Sequence, residues 1–151
     1  MTLVGTTIPN PGKDQERNRG AELHKAVSAR IGSAPFGDTG QFPDVFDQLL
    51  EVKLQTSSTI DLGLISPDST EPLADLPGFH HYDVRYSVFY GSIEGANVRL
   101  EKLVLSVGSD FFSFFQRFEG NVSNEKRQIR LPRDFFAQAE SLPDQGVDSG
   151  L

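Results

Sequence analysis

The chain has 151 residues, a length at which one compact unit with a real core is expected and a second full domain is not. No run approaches the ~18–20 apolar residues of a membrane span, and the first dozen residues lack the basic start and apolar stretch of a secretory signal, so a cytoplasmic protein with no membrane partner is expected. The absence of cysteine excludes disulfides, thiolate catalysis and Cys-type zinc sites, and 14 Lys+Arg against 21 Asp+Glu, net -7, argues against holding nucleic acid by bulk charge alone.

Residues 1–13, with Pro9, Asn10, Pro11 and Gly12, read as a flexible amino-terminal arm. From Asp14 to Ile31 the apolar positions Ala21, Leu23, Ala26, Val27 and Ile31 recur at helical spacing, and Gly32 stands where a helix ends. After the turn signal Gly37-Asp38-Thr39-Gly40, Gln48 to Gln55 reads as a strand with Leu50, Val52 and Leu54 on the face that helices should cover. Residues 66–79 are a long connection rich in proline and acids, of the kind that is often functional or mobile. Asp83–Ile93 and Asn97–Val107 predict a hairpin of two long strands around Glu94-Gly95-Ala96. Ser109-Asp110 then caps a short helix whose Phe111, Phe112, Phe115 and Phe118 form an apolar face ending at Gly120. A strand at Gln128–Leu131 and a helix opened by Pro132 complete a domain of residues 14–139, followed by an acidic tail, 140–151. This order predicts an α/β protein with a central mixed β-sheet flanked by helices.

The chemistry gathers in Phe42-Pro43-Asp44 and, six residues on, Glu51-Val52-Lys53-Leu54-Gln55. Side chains alternate on a strand, so Glu51 and Lys53 project on one side while Val52 points into the core. Asp44 would come alongside Glu51 if the chain folds back through Phe46 to Gln48. Two adjacent carboxylates repel each other unless a cation lies between them, and oxygen ligands suit a hard ion such as Mg²⁺, with Mn²⁺ as a substitute. Lys53 beside them could orient or help deprotonate a water, or offset charge developing on a phosphate. The plain alternative is a strand salt bridge worth about 1 kcal/mol or less.

Pro43-Asp44 followed by Glu51-x-Lys53 resembles the signature of the PD-(D/E)xK nuclease superfamily, the phosphodiesterases of the restriction-endonuclease-like fold, and most of all the type II restriction endonucleases. The resemblance implies a leading helix, a hairpin bearing the signature, and then a helix and further strands. It implies a Mg²⁺-dependent DNA endonuclease in which Asp44, Glu51 and the Val52 carbonyl are metal ligands, Lys53 is the catalytic lysine, and Glu22 on the first helix is a further acid. Gln55 would line the substrate groove. The basic cluster Lys126, Arg127, Arg130 and Arg133 would contact phosphates, as would Arg17, Arg19 and Arg30; otherwise these residues are a solvated surface. Asp61 reads first as a cap and second as a site acid, and His80-His81 as a loop pair unable to share one ion. The chain has little room beyond a catalytic core, which points to a homodimer or a separate specificity subunit. A repair or recombination nuclease, and a non-catalytic nucleic-acid-binding or assembly module, are the alternatives.

Overall fold

A computed structural model describes residues 2–12, 15–33, 41–117 and 128–130, the last three by their backbone. In chain order the elements are β1 (Thr7–Pro9), α1 (Glu16–Ile31), β2 (Leu50–Gln55), β3 (Thr59–Asp61), β4 (Arg85–Glu94), β5 (Asn97–Val107), α2 (Phe111–Phe114) and β6 (Gln128–Arg130). The fold is mixed α/β, with a four-stranded mixed sheet ordered β1-β5-β4-β2 and a small antiparallel pair of β3 with β6.

Helix α1 buries Arg19, Leu23 and Val27, four residues apart, against the sheet. It stops at Gly32, whose φ of 68° suits glycine, and the amides of Gly32 and Ser33 both donate to the Ser28 carbonyl. Arg19 is buried because its guanidinium donates to the Gly12 carbonyl at 2.9 Å, pinning the segment before the helix. That segment is not the free arm expected from sequence. Thr7–Pro9 pairs antiparallel with β5 and Ile8 is buried, because the outer edge of β5 offers a backbone ladder that no local periodicity announces.

Strands β4 and β5 form the expected hairpin, with Glu94 opposite Asn97 and Gly95-Ala96 as its two-residue loop. The ladder slips by one residue at Gly91, where an added Cβ would lie 2.5 Å from Val98 Cγ1. β2 pairs with β4 in parallel, Glu51 opposite Tyr86 and Lys53 opposite Val88. A parallel pair needs a crossover, usually helical. Residues 56–84 supply it here without an α-helix, unlike the order the nuclease resemblance implies. The crossover is fastened by its own backbone: Tyr82 N–H donates to Ser69 O, His81 N–H to Glu71 O and Leu73 N–H to Phe79 O.

Two cores lie against the sheet. On the α1 side, Leu23 and Val27 meet Ile8, Val45, Val52, Phe89, Val98 and Leu100, with Leu50 and Leu54 at the margin. The second gathers Ile60, Leu62, Leu73, Val84, Tyr86, Val88 and Tyr90 with Phe111 and Phe115. The phenylalanine segment makes one helical turn instead of two, since Phe115 is already extended. Its rings are core: Phe111 and Phe115 stack at 4.4 Å and both are fully buried. Among the described residues helices thus flank the sheet less than expected, with one long helix on one side and irregular chain on the other. The helix expected after Pro132 and the tail 140–151 lie outside the described residues.

Candidate active site

The site begins with a tight reversal. Val45 and Leu50 face each other across an antiparallel bridge, exchanging backbone bonds of 2.8 and 3.1 Å, and Phe46–Gln48 turn between them as a 3₁₀ helix. The turn closes through Leu49, held at φ 48°, ψ 42°. One step beyond a bridged pair the side chains point to the opposite face, so Val45 and Leu50 meet the α1 core while Asp44 and Glu51 come together on the other face.

Each carboxylate is tied to the partner strand. The Asp44 amide donates to Glu51 Oε2 at 3.0 Å, and the Val52 amide donates to Asp44 Oδ2 at 2.9 Å. Lys53 Nζ lies 2.8 Å from Glu51 Oε1, as alternation on β2 requires. Glu51 is 5% exposed, which is rare for a glutamate. Burial pushes its carboxyl above the usual range; Lys53 opposes this, and the Asp44 charge adds to it. Burial would lower the Lys53 ammonium, but Glu51, Asp44 and Asp61 together outweigh it and hold the amine above its ordinary value. Lys53 is therefore a cation at neutral pH and not a free base. The Tyr86 phenol, opposite Glu51 on β4, is raised by burial and then by the Glu51 charge.

These groups open onto a cleft of about 940 Å³. It follows the free edge of β2, the last strand of the sheet among the described residues, between the amino-terminal half of α1 and β3. Asp44, Glu51, Val52, Lys53 and Gln55 all line it. Gln55 is buried and its amide nitrogen donates to the Ser57 carbonyl, closing the Thr56–Ser58 turn at the rim. Asp61 also lines the cleft while its Oδ1 accepts from the Gly63 amide at 2.9 Å, so it caps a turn at the cleft's edge, the reading given first place from sequence.

Glu22 is not brought to this site. Successive residues on a helix stand 100° apart, and α1 turns Glu16, Arg17, Arg19, Gly20, Ala21 and His24 to the cleft, which leaves Glu22 outside its lining. His24 was missed by sequence reasoning. Arg17, Gly20, Ala21 and His24 share one helical face, but Ala21 belongs equally to the apolar stripe with Leu23 and Val27, so the spacing alone does not separate the two faces. Lys126 and Arg127 lie outside the described residues. Arg130 pairs through its backbone with Thr59, itself a cleft residue. The two adjacent histidines diverge: His81 is buried and stacks on Phe42 at 5.1 Å, while His80 stacks on Tyr82 and meets Asp83 at 3.5 Å.

Among the described residues no group of three or more His, Asp or Glu side chains is gathered as a metal cage. The donor set is instead two neighbouring carboxylates, Asp44 and Glu51, one of them desolvated and each tied to a backbone amide of the other's segment. That composition fits Mg²⁺, which keeps several waters and takes one or two carboxylates plus substrate oxygens. Among the described residues no helix is long and apolar enough to cross a membrane. Compared with protein-family models, curated proteins and solved structures, the chain has no match.

Proposed function

We propose that this chain is a Mg²⁺-dependent endonuclease that hydrolyses phosphodiester bonds in DNA within the cleft beside β2, of the restriction-endonuclease kind or the catalytic part of such an enzyme. One observation carries the reading: Asp44 stands directly across from a buried Glu51 whose other oxygen pairs with Lys53. As a structural salt bridge this arrangement is poor, because a second carboxylate is packed against the first and like charges opposite one another destabilise a strand pair. As a cation site it is consistent.

Asp44 and Glu51, with the Val52 carbonyl, would hold the ion, which when bound supplies Lewis-acid polarisation of the phosphoryl oxygens. The remaining work belongs to the chain. Lys53, kept protonated by Glu51, donates hydrogen bonds and positive charge where negative charge develops on the phosphate. It also orients a water for in-line attack; the water's proton would pass to a phosphate oxygen or bulk water rather than to Lys53, as the P–O bond to the leaving sugar oxygen breaks and that oxygen takes up a proton from solvent. Gln55 and the Thr56–Ser58 turn form the rim against which the nucleic-acid backbone would rest.

The test is plasmid cleavage with Mg²⁺, Mn²⁺ or EDTA, run beside Glu51→Gln and Lys53→Ala proteins shown by circular dichroism to be folded. Cutting that needs the metal and falls at least about 1,000-fold in both variants is expected, the scale on which removing a transition-state partner acts. Undiminished cutting by either variant would overturn the assignment. Discrete fragments from a sequenced plasmid would mark a site-specific enzyme, and random nicking a repair or recombination nuclease.

A further inference from the structure

The α1 face of the sheet is covered unevenly. Paired residues on neighbouring strands point to the same side, so the rows Leu50–Arg85–Val107, Val52–Ser87–Leu105 and Leu54–Phe89–Leu103 all face the helix. α1 closes over Val52 and Phe89 but ends at Ile31, and past its end one corner of the sheet lies open: Leu105 is 62% exposed, Ile31 46% and Val107 36%. A groove of about 390 Å³ runs between them and Leu50. Gln48, Arg85 and Ser106 complete its lining, but Arg85 Nε donates to the Gln48 carbonyl at 3.1 Å and the Ser106 hydroxyl to the Val107 carbonyl at 2.8 Å. The same corner carries an open strand edge. β1 pairs with β5 from Asn97 to Arg99 and the chain before it bonds Leu100, whereas among the described residues no strand lies beside Leu103–Val107 on that side. Edge strands that stay single are usually guarded by charge or proline, and Leu103 to Ser109 contain neither.

We propose that a second copy of this chain docks on this corner, Leu103–Val107 of each copy pairing antiparallel with the other about a twofold axis at Leu105. An unpaired ladder is satisfied by another strand, and a strand that pairs antiparallel with its own copy makes each contact twice and closes the assembly at two. Alternation then sets each Leu103 opposite a Val107 and the two Leu105 side chains opposite each other, all on the exposed α1 face. Charge favours the same occupant. Two molecules of net charge -7 repel each other over most of their surface, and this uncharged run is where they can meet without setting like charges together. β4 separates β5 from β2, so pairing at β5 leaves the edge of β2 and its cleft open in both copies. The pairing does not rest on any reading of that cleft. A strand pair this short covers less than the roughly 800 Å² per partner of a standard interface, so a dissociation constant in the micromolar range is expected.

The pairing is tested on the full chain by sedimentation velocity from about 1 µM to about 1 mM, which brackets that affinity. The mass of the wild type should double across the series. Leu105 is exposed, so Leu105→Glu and Leu105→Lys are compatible with the fold, and circular dichroism checks that both variants keep it. Each should weaken the dimer about tenfold or more, because each removes the central apolar contact and sets like charges opposite one another. An equimolar mixture of the two variants should regain pairing, since only a twofold axis at position 105 brings the introduced carboxylate against the introduced ammonium. A wild type that stays monomeric throughout would overturn the proposal and give the corner to another segment of the same chain or to a different partner. Undiminished dimer in Leu105→Glu would overturn it by placing the interface elsewhere, and a mixture no more dimeric than its two components would overturn the twofold pairing at Leu105.

Discussion

At the scale of single residues the site is held by one buried carboxylate. Glu51 is tolerated at 5% exposure because it accepts from the Asp44 amide and pairs with Lys53. Removing the cation strands the anion: Lys53→Ala is expected to cost about 2–3 kcal/mol in urea unfolding, somewhat below a fully buried pair since Lys53 is 26% exposed. The double variant Glu51→Gln/Lys53→Ala should recover most of that loss. A double variant as unstable as Lys53→Ala would show that the lysine stem, not its charge, matters. His81 supplies a pH signature elsewhere. Burial holds its imidazole below the ordinary 6.5, with Glu71 opposing, and its Nδ1 is buried without a hydrogen-bond partner. The unfolded chain therefore binds a proton that the folded chain refuses, so this contribution is full above pH 6.5 and is lost as pH falls below it. In His81→Phe, which can keep the stack on Phe42, the drop in Tm between about pH 7.5 and 5 should shrink relative to wild type; an unchanged drop would assign acid sensitivity to the carboxylates instead.

At the scale of elements two joints position the cleft. One is the 44–51 hairpin, whose closing residue Leu49 sits at φ 48° at a cost of about 1 kcal/mol for a non-glycine residue. The other is the packing of the crossover 56–84 under the start of α2. A Cβ at Gly108 would lie 2.2 Å from the Pro67 carbonyl oxygen and 2.7 Å from that of His81, both backbone atoms that cannot swing aside. Gly108→Ala is thus expected to lower stability by about 3 kcal/mol, at the upper end of overpacking costs. Thermal melts would check it, and a shift of less than a degree would mean the crossover yields. The second joint explains how an irregular segment does what a helix usually does between parallel strands. Its ends are pinned by close backbone contact, and Leu73 fills the core beneath it.

At the scale of the whole molecule, the charge of -7 becomes a distribution. Residues 1–133 carry 14 basic and 17 acidic groups, and the cleft brings Asp44, Glu51 and Asp61 into one lining with Glu16, Arg17 and Arg19 of α1. A divalent ion bound at Asp44 and Glu51 would relieve the repulsion between them, so millimolar Mg²⁺ should raise Tm through its preference for the native state. The rise should vanish in Glu51→Gln, and a rise that survives there would place the ion elsewhere. Cleavage should weaken with added salt, because each phosphate contact made by a basic side chain releases counterions.

Much of this was legible in the residue order because it is local. Period-two alternation put Glu51 and Lys53 on one side of β2 and Val52 on the other, helical spacing gave α1 with its stop at Gly32, and β-branched runs around Gly95 gave the β4–β5 hairpin. Pairing between distant segments was not legible. Nothing in Thr7–Pro9 names β5 as its partner, and nothing before Arg85 says that β2 will lie parallel to β4. The fold-back that sets Asp44 against Glu51 ends on a leucine in a left-handed conformation, a position usually marked by glycine or asparagine. The rotation of α1, which shows Arg17 and His24 to the cleft and withholds Glu22, follows from which stripe the core takes up. A chain's own periodicity selects the faces of its elements; which groups finally meet depends on contacts between elements far apart in sequence, and those form only when the whole core closes.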